Sequence, residues 1–266
     1  MRSFSEGFVP YMLYLLLFVG LLALQPDFWG ILLFGPLALI LYFLSWGKLR
    51  YIMSLVALWL IFIASIYAIG SSQESGLYYI HKRIANYLSD SRDAIANQTI
   101  WYQTEQALIT IGSGGFGGRW FGESIQKFGY LPEVENDFIF SVIVEEWWLF
   151  GATLLFTLYL ALIYRLLKIA SRTLDPFGRY IVLWVAAWIG LQAFTNMWVN
   201  LNVIPLTGVT LPFLSIGGSS IASLMIGIGL CLNVSKYQSH KQSVFHTQRK
   251  RFELYPGKVF EDDIVK

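Results

Sequence analysis

Six apolar runs of membrane-spanning length, near residues 8–25, 28–46, 51–70, 147–167, 179–201 and 216–235, constrain this chain more than any motif does. Each gives close to the ~20 residues that a ~30 Å hydrocarbon layer requires at a rise of ~1.5 Å per residue. A bilayer core offers the backbone no water, so only helices or closed barrels cross it. Continuous apolar runs without two-residue alternation point to helices. Composition agrees, with 56% of the 266 residues hydrophobic and 14% charged, against about 25% charged in soluble domains. The first run follows Arg2, as in a signal peptide, but no small-x-small cleavage site follows Leu24. Gln25-Pro26-Asp27 leads straight into the next run, so the first is read as a retained helix. The expected fold is an all-α polytopic membrane protein of about six transmembrane helices.

Lys and Arg segregate by loop. Lys48 and Arg50 lie between runs two and three, and Arg165, Lys168, Arg172 and Arg179 lie around the loop between runs four and five. Lys236, Lys241, Arg249, Lys250, Arg251, Lys258 and Lys266 follow run six. With Arg2 they mark one side as cytoplasmic, which places both termini there. The expected organisation is a single membrane domain over 1–235, with a large extracytoplasmic loop at 71–146, and a cytoplasmic tail at 236–266 that is flexible or ordered by a partner. A formal charge of +2 is too small to argue for nucleic acid, and none is expected as a partner. His81, His240 and His246 lack ligand spacing, and the single cysteine, Cys231, has no internal disulfide partner.

The outer loop is too long for a passive connection. Leu77, Ile80, Ile84, Tyr87 and Leu88 recur at three- and four-residue steps, which predicts an amphipathic helix on the outer leaflet. A second helix is predicted over 98–110. Gly112, Gly114, Gly115, Gly117 and Gly118 follow, then Arg119 and Lys127. Such a run can present consecutive N–H groups to an anion such as phosphate, with the two cations neutralising it; a plain turn between helices explains it as well. Among the carboxylates Glu133, Glu135, Asp137, Glu145 and Glu146, a helix starting at Pro132 would put Glu133 and Asp137 on one face. Crowded carboxylates at a low-dielectric edge hold protons tightly, which suits a general base. The same cluster could bind a divalent cation, or simply favour a helix start. Asp137 precedes Phe138-Ile139-Phe140 and fits the last explanation least. One of Glu145 and Glu146 is expected to face protein, with Trp147 and Trp148 as interface anchors.

Between Asn196 and Ser220, Pro205, Gly208, Pro212, Gly217 and Gly218 exclude a continuous helix. Irregular backbone at membrane depth needs protein or a wet cavity around it. This stretch is either a re-entrant outer segment lining such a cavity or an ordinary outer loop.

Several stretches in this order resemble the SEDS family (shape, elongation, division and sporulation), which includes FtsW and RodA. They are LQPD at 24–27, YQTEQALITIGSGG at 102–115, SIQKFGYLPE at 124–133, DFIFSVIVEE at 137–146 and PLTGVTLPFLSIGGSS at 205–220. The resemblance implies a peptidoglycan glycosyltransferase acting in cell division or elongation. It would polymerise lipid II, an undecaprenyl-pyrophosphate-linked precursor, outside the bacterial inner (cytoplasmic) membrane, with Asp137 as catalytic general base. Arg119, Lys127, Glu133, Gln106 and Ser219 become candidate substrate contacts. A divalent cation, Mg or Mn, is a candidate cofactor, and a class B penicillin-binding protein of the division or elongation complex is the expected partner. The alternatives are a lipid II flippase, or an inactive scaffold for the penicillin-binding protein. Family members typically have about ten spans, so the first four are expected to be missing here, through truncation, a split gene or a misplaced start. Glu135-Asn136 replaces the family's histidine-threonine, Trp147-Trp148 falls where a glycine pair is expected, and Ile216 replaces a tyrosine.

Overall fold

The computed structural model describes residues 8–24, 28–44, 49–70, 98–115, 117–127 and 131–254, with Tyr78, His81, Ile84 and Tyr87 as single positions. Seven helices carry these segments: α1 (Val9–Leu24), α2 (Phe28–Leu44), α3 (Leu49–Gly70), α4 (Gln98–Ser113), α5 (Ile139–Arg172), α6 (Pro176–Asn200) and α7 (Gly218–Leu254). Among the described residues there is no strand. The all-α polytopic expectation holds. Helices lie on all six apolar runs, and α4 lies where a loop helix is predicted. Among the described residues, four stretches are long and apolar enough to cross a membrane: Leu49–Ile69, Ile139–Arg172, Pro176–Asn200 and Gly218–Tyr237. At 16 and 17 residues, α1 and α2 are shorter. Within the amphipathic pattern at 77–88 the four described positions are helical, and the rest fall outside the described residues.

Two boundaries differ from the hydropathy reading. The fourth span is predicted from 147, whereas α5 begins at Ile139, because Phe140, Ser141, Val142, Val144, Glu145 and Glu146 are buried against protein rather than lipid. That extension brings the helix start to the candidate base. The last helix runs on past 235 to Leu254, through more than half of the predicted tail.

The main core joins α5, α6 and α7 through Leu155, Tyr159, Val182, Val185, Ile189 and Leu224. Asp175 starts α6 by accepting the Gly178 N–H at 2.7 Å, with Pro176 in the first helical position. A second cluster around Tyr42, Tyr51 and Leu55 holds α1, α2 and α3 together, and α2 also packs on α6. The chain reverses so that the start of α5, the end of α6 and the start of α7 lie at one end of the bundle. The 113–138 connection and the irregular 201–217 segment meet them there, over a small core of Ala107, Leu131, Phe138, Val199 and Leu206.

Candidate active site

Two of the five clustered glycines, Gly114 and Gly118, are closely approached by backbone. A Cβ at Gly118 would lie 2.4 Å from the Glu146 carbonyl oxygen, and one at Gly114 would lie 2.8 Å from that of Glu145. Gly115 and Gly118 also take φ of +55° and +71°. The loop's N–H groups are directed into the protein: Gly118 donates to Gly114, Arg119 to Glu145 and Trp120 to Glu146, at 2.9–3.1 Å. In an unbroken helix those two glutamate carbonyls would serve Leu149 and Phe150. Here α5 breaks at Trp148, whose φ of 45° and ψ of −136° are non-helical, and the loop backbone takes the vacated acceptors. The turn reading therefore accounts for Gly114, Gly115 and Gly118, and the geometry does not form an anion cradle from these amides.

Side chains reinforce this seam. Glu145 is fully buried and accepts from Ser113 Oγ at 2.8 Å, from Ser124 Oγ and from the Ile125 N–H at 3.4 Å; Arg119 Nε lies 3.5 Å from its Oε1. Glu146, 8% exposed, pairs with Lys127 Nζ at 2.9 Å, and that ammonium also donates to the Gly122 carbonyl at 2.7 Å. Both glutamates thus face protein, where one was expected to. Each holds one of the candidate phosphate-binding cations.

The predicted helix start at Pro132 is replaced by turns. Glu133 takes φ +52°, which no regular helix permits, so a helical Glu133/Asp137 face does not form. A single turn remains, in which the Asp137 N–H donates to the Glu133 carbonyl at 3.0 Å. The Glu133 carboxylate instead accepts from Asn136 Nδ2 at 2.7 Å. Asp137 comes two residues before α5, is half-buried, and directs Oδ2 towards Gly208, where an added Cβ would sit 3.6 Å away.

Its position is set by a feature that the sequence reading missed. Gln192, Asn196 and Asn200 stand at four-residue intervals on the buried face of α6. Asn196 Nδ2 donates to the carbonyls of Asp137 at 2.8 Å and Val209 at 2.7 Å. Asn200 Nδ2 donates to the same Asp137 carbonyl at 2.9 Å, and its Oδ1 accepts from Ser141 Oγ at 2.7 Å. Gln192 Nε2 reaches Thr210 Oγ1 at 3.0 Å, two helical turns, roughly 12 Å, inside the Asn200 end of α6. Tyr159 donates to the Pro212 carbonyl at 2.5 Å, and Ile216 N–H to that of Glu135 at 2.8 Å. Irregular backbone between 201 and 217 thus dips into the bundle with its polar groups served by helix side chains. Three amides at four-residue spacing within an apolar run are the signal that could have revealed the ladder.

A cavity of about 660 Å³ is lined by Lys127, Glu133, Glu135, Asn136 and Glu146 over apolar walls from Ile139 and Val142; Asp137 is next in the chain to this lining but is not part of it. Lys127 and Glu133 of the predicted contacts thus come together. Arg119 is turned to Glu145. Gln106 is half-buried on α4 and Ser219 is exposed in the first turn of α7, and neither lines this cavity. Among the described residues no three His, Cys, Asp or Glu side chains converge as a metal site. Glu133, Glu145 and Glu146 of the predicted cluster each already accept from a neighbour.

A family model for FtsW, RodA and SpoVE, described as cell cycle proteins, matches residues 1–240. Among curated relatives, a "Probable peptidoglycan glycosyltransferase FtsW" of Geobacter metallireducens is 35% identical over 234 residues, 88% of this chain and 60% of the relative. Stage V sporulation protein E of Bacillus subtilis is 34% identical over 239 residues, 90% of this chain and 62% of the relative. The chain therefore spans about 60% of the length of the curated relatives it matches. Among solved structures, a peptidoglycan synthase complex that coordinates polymerization and crosslinking aligns with a TM-score of 0.67 at 27% identity, covering 90% of this chain and 65% of that one. A variant of the Thermus thermophilus rod shape determining protein RodA aligns with a TM-score of 0.57 at 27% identity, covering 90% and 59%.

Proposed function

Because the chain belongs to the FtsW, RodA and SpoVE family of cell cycle proteins, we propose that it is a peptidoglycan glycosyltransferase that polymerises lipid II, with Asp137 as general base. The observation that carries the reading is the clamp on Asp137. Two buried amides fix its backbone carbonyl at 2.8 and 2.9 Å, so its carboxylate is carried on a rigid support facing Gly208.

In the proposed reaction the acceptor sugar's hydroxyl oxygen attacks the donor's anomeric carbon as Asp137 takes the hydroxyl proton. The carbon–oxygen bond to the lipid pyrophosphate breaks with inversion, and the electron pair leaves on the pyrophosphate. Lys127, on the cavity wall, is the cation for that developing charge, at the expense of its pairing with Glu146. Arg119 would stabilise the loop from its place against Glu145. A Mg or Mn ion carried in with the pyrophosphate is a separate proposal, and full activity in a chelator would discard it. The proposal places the 71–146 region outside the bacterial inner membrane, the termini in the cytoplasm, and a class B penicillin-binding protein beside the chain.

The test is polymerisation of labelled lipid II by the purified protein in liposomes, alone and with a class B penicillin-binding protein. Glycan strands in either condition support the enzyme. Binding of the penicillin-binding protein without polymer in either condition would overturn it in favour of a scaffold.

A further inference from the structure

The 119–122 loop carries two of the most exposed large side chains described, Trp120 at 79% and Phe121 at 81%. It is no loose tip, because the N–H groups of Arg119 and Trp120 bond to the carbonyls of Glu145 and Glu146. Phe121 meets Trp147 edge-on at 6.4 Å, and Trp147 stacks on Phe150 at 6.0 Å, which is itself 65% exposed. From Phe150 the exposed face continues down α5 at four-residue steps, through Leu154 at 43% and Leu158 at 58%. The aromatic patch is therefore the upper end of an apolar stripe on a helix long enough to cross a membrane.

Depth follows from length. Past its break at Trp148, α5 runs from 149 to 172, roughly 36 Å at ~1.5 Å per residue, enough to cross a ~30 Å hydrocarbon layer. Arg165, Lys168 and Arg172 place the headgroups of one leaflet at the far end of α5. Twenty residues back from Lys168, about one hydrocarbon thickness, is Trp148, the break beside which the loop is bonded to the Glu145 and Glu146 carbonyls. Rings flanked by Arg119 and Glu123 are then at the headgroup–acyl boundary, where amphipathic aromatics settle.

We propose that Trp120 and Phe121, with Trp147 and Phe150, form a lipid-docking patch seated in the leaflet at the cavity end of the bundle. Its occupant is phospholipid at the headgroup–acyl boundary. Continuity with the exposed stripe of α5 favours lipid over a protein partner. The patch holds the loop that carries Arg119 and Lys127 at fixed depth, so the cavity opens next to the lipid surface.

The test uses the full chain in phosphatidylcholine–phosphatidylglycerol liposomes without partner or substrate. Phe121→Cys is labelled with bimane, and Leu158→Cys supplies a deep reference; the native Cys231 is buried. At position 121, nitroxide on the fifth acyl carbon is expected to quench several-fold more than nitroxide on the twelfth, with the order reversed at 158. Aqueous iodide is expected to quench little at 121. Efficient iodide quenching there with none from lipid nitroxide would overturn the proposal, as would quenching by neither, which would mean that protein covers the patch.

Discussion

Asn196 of α6 donates to the backbone carbonyl of Asp137 at 2.8 Å, so the candidate base is fixed by a residue 59 positions away that need not touch substrate. The same amide binds the Val209 carbonyl, which joins the base to the irregular segment in front of it. Asn196→Asp keeps the shape, removes both donors and sets a carboxylate against two carbonyls. The expected cost is at least about 1–3 kcal/mol, read as a lower melting temperature in detergent, with a larger loss in kcat than in KM. Unchanged melting and activity would mean that the clamp does not position Asp137.

The seam between the glycine loop and α5 predicts a graded series. Gly112 has open space around it, so alanine there is tolerated or slightly stabilising, by up to ~1 kcal/mol in a helix. Gly115→Ala meets open space but φ of +55°, at a cost of about 1–2 kcal/mol. Gly118→Ala adds a 2.4 Å clash with the Glu146 carbonyl oxygen to φ of +71° and is expected to be the worst of the three. Melting temperatures should fall in that order; equal effects would contradict the seam.

Glu145→Ala removes the acceptor shared by Ser113 and Ser124 and the charge beside Arg119, whose Nε donates to the Ser113 carbonyl. Arg119 is partly exposed and can rehydrate, and Ser113 keeps the Thr110 carbonyl at 3.0 Å, so the larger share of the expected loss, about 1–3 kcal/mol, comes from the buried Ser124 hydroxyl and the Ile125 N–H. Trypsin should then cut faster after Arg119 and Lys127 than in the unchanged chain. Glu145→Gln, which retains one acceptor oxygen, should be intermediate.

Helix positions were legible in the apolar runs because lipid-facing helices must be apolar, and 98–110 was legible from the apolar side that Trp101, Leu108 and Ile111 could form. The start of α5 was not. Hydropathy stops at Trp147, since Glu145 and Glu146 are polar, yet both are buried and paired, which no hydropathy sum registers. The same reason hid the amide ladder: Gln192, Asn196 and Asn200 interrupt an apolar run, and their meaning lies in carbonyls brought to them by residues 137 and 209–210. The helix expected at Pro132 failed on backbone conformation, at Glu133. Trp148 was noted for replacing a family glycine, and it takes a conformation that glycine adopts more readily. Asp137 itself was singled out from the motif, and the structure adds how it is held.

The central claim is that Asp137 takes the acceptor's proton. Asp137→Asn keeps size and backbone clamp but cannot serve as a base, so the decisive measurement is the rate of labelled lipid II polymerisation by this variant beside the unchanged protein in the same liposomes. The predicted result is a loss in kcat of about 10²–10⁴-fold, with the melting temperature and lipid II binding retained. Polymerisation by Asp137→Asn at the unchanged rate would contradict the account.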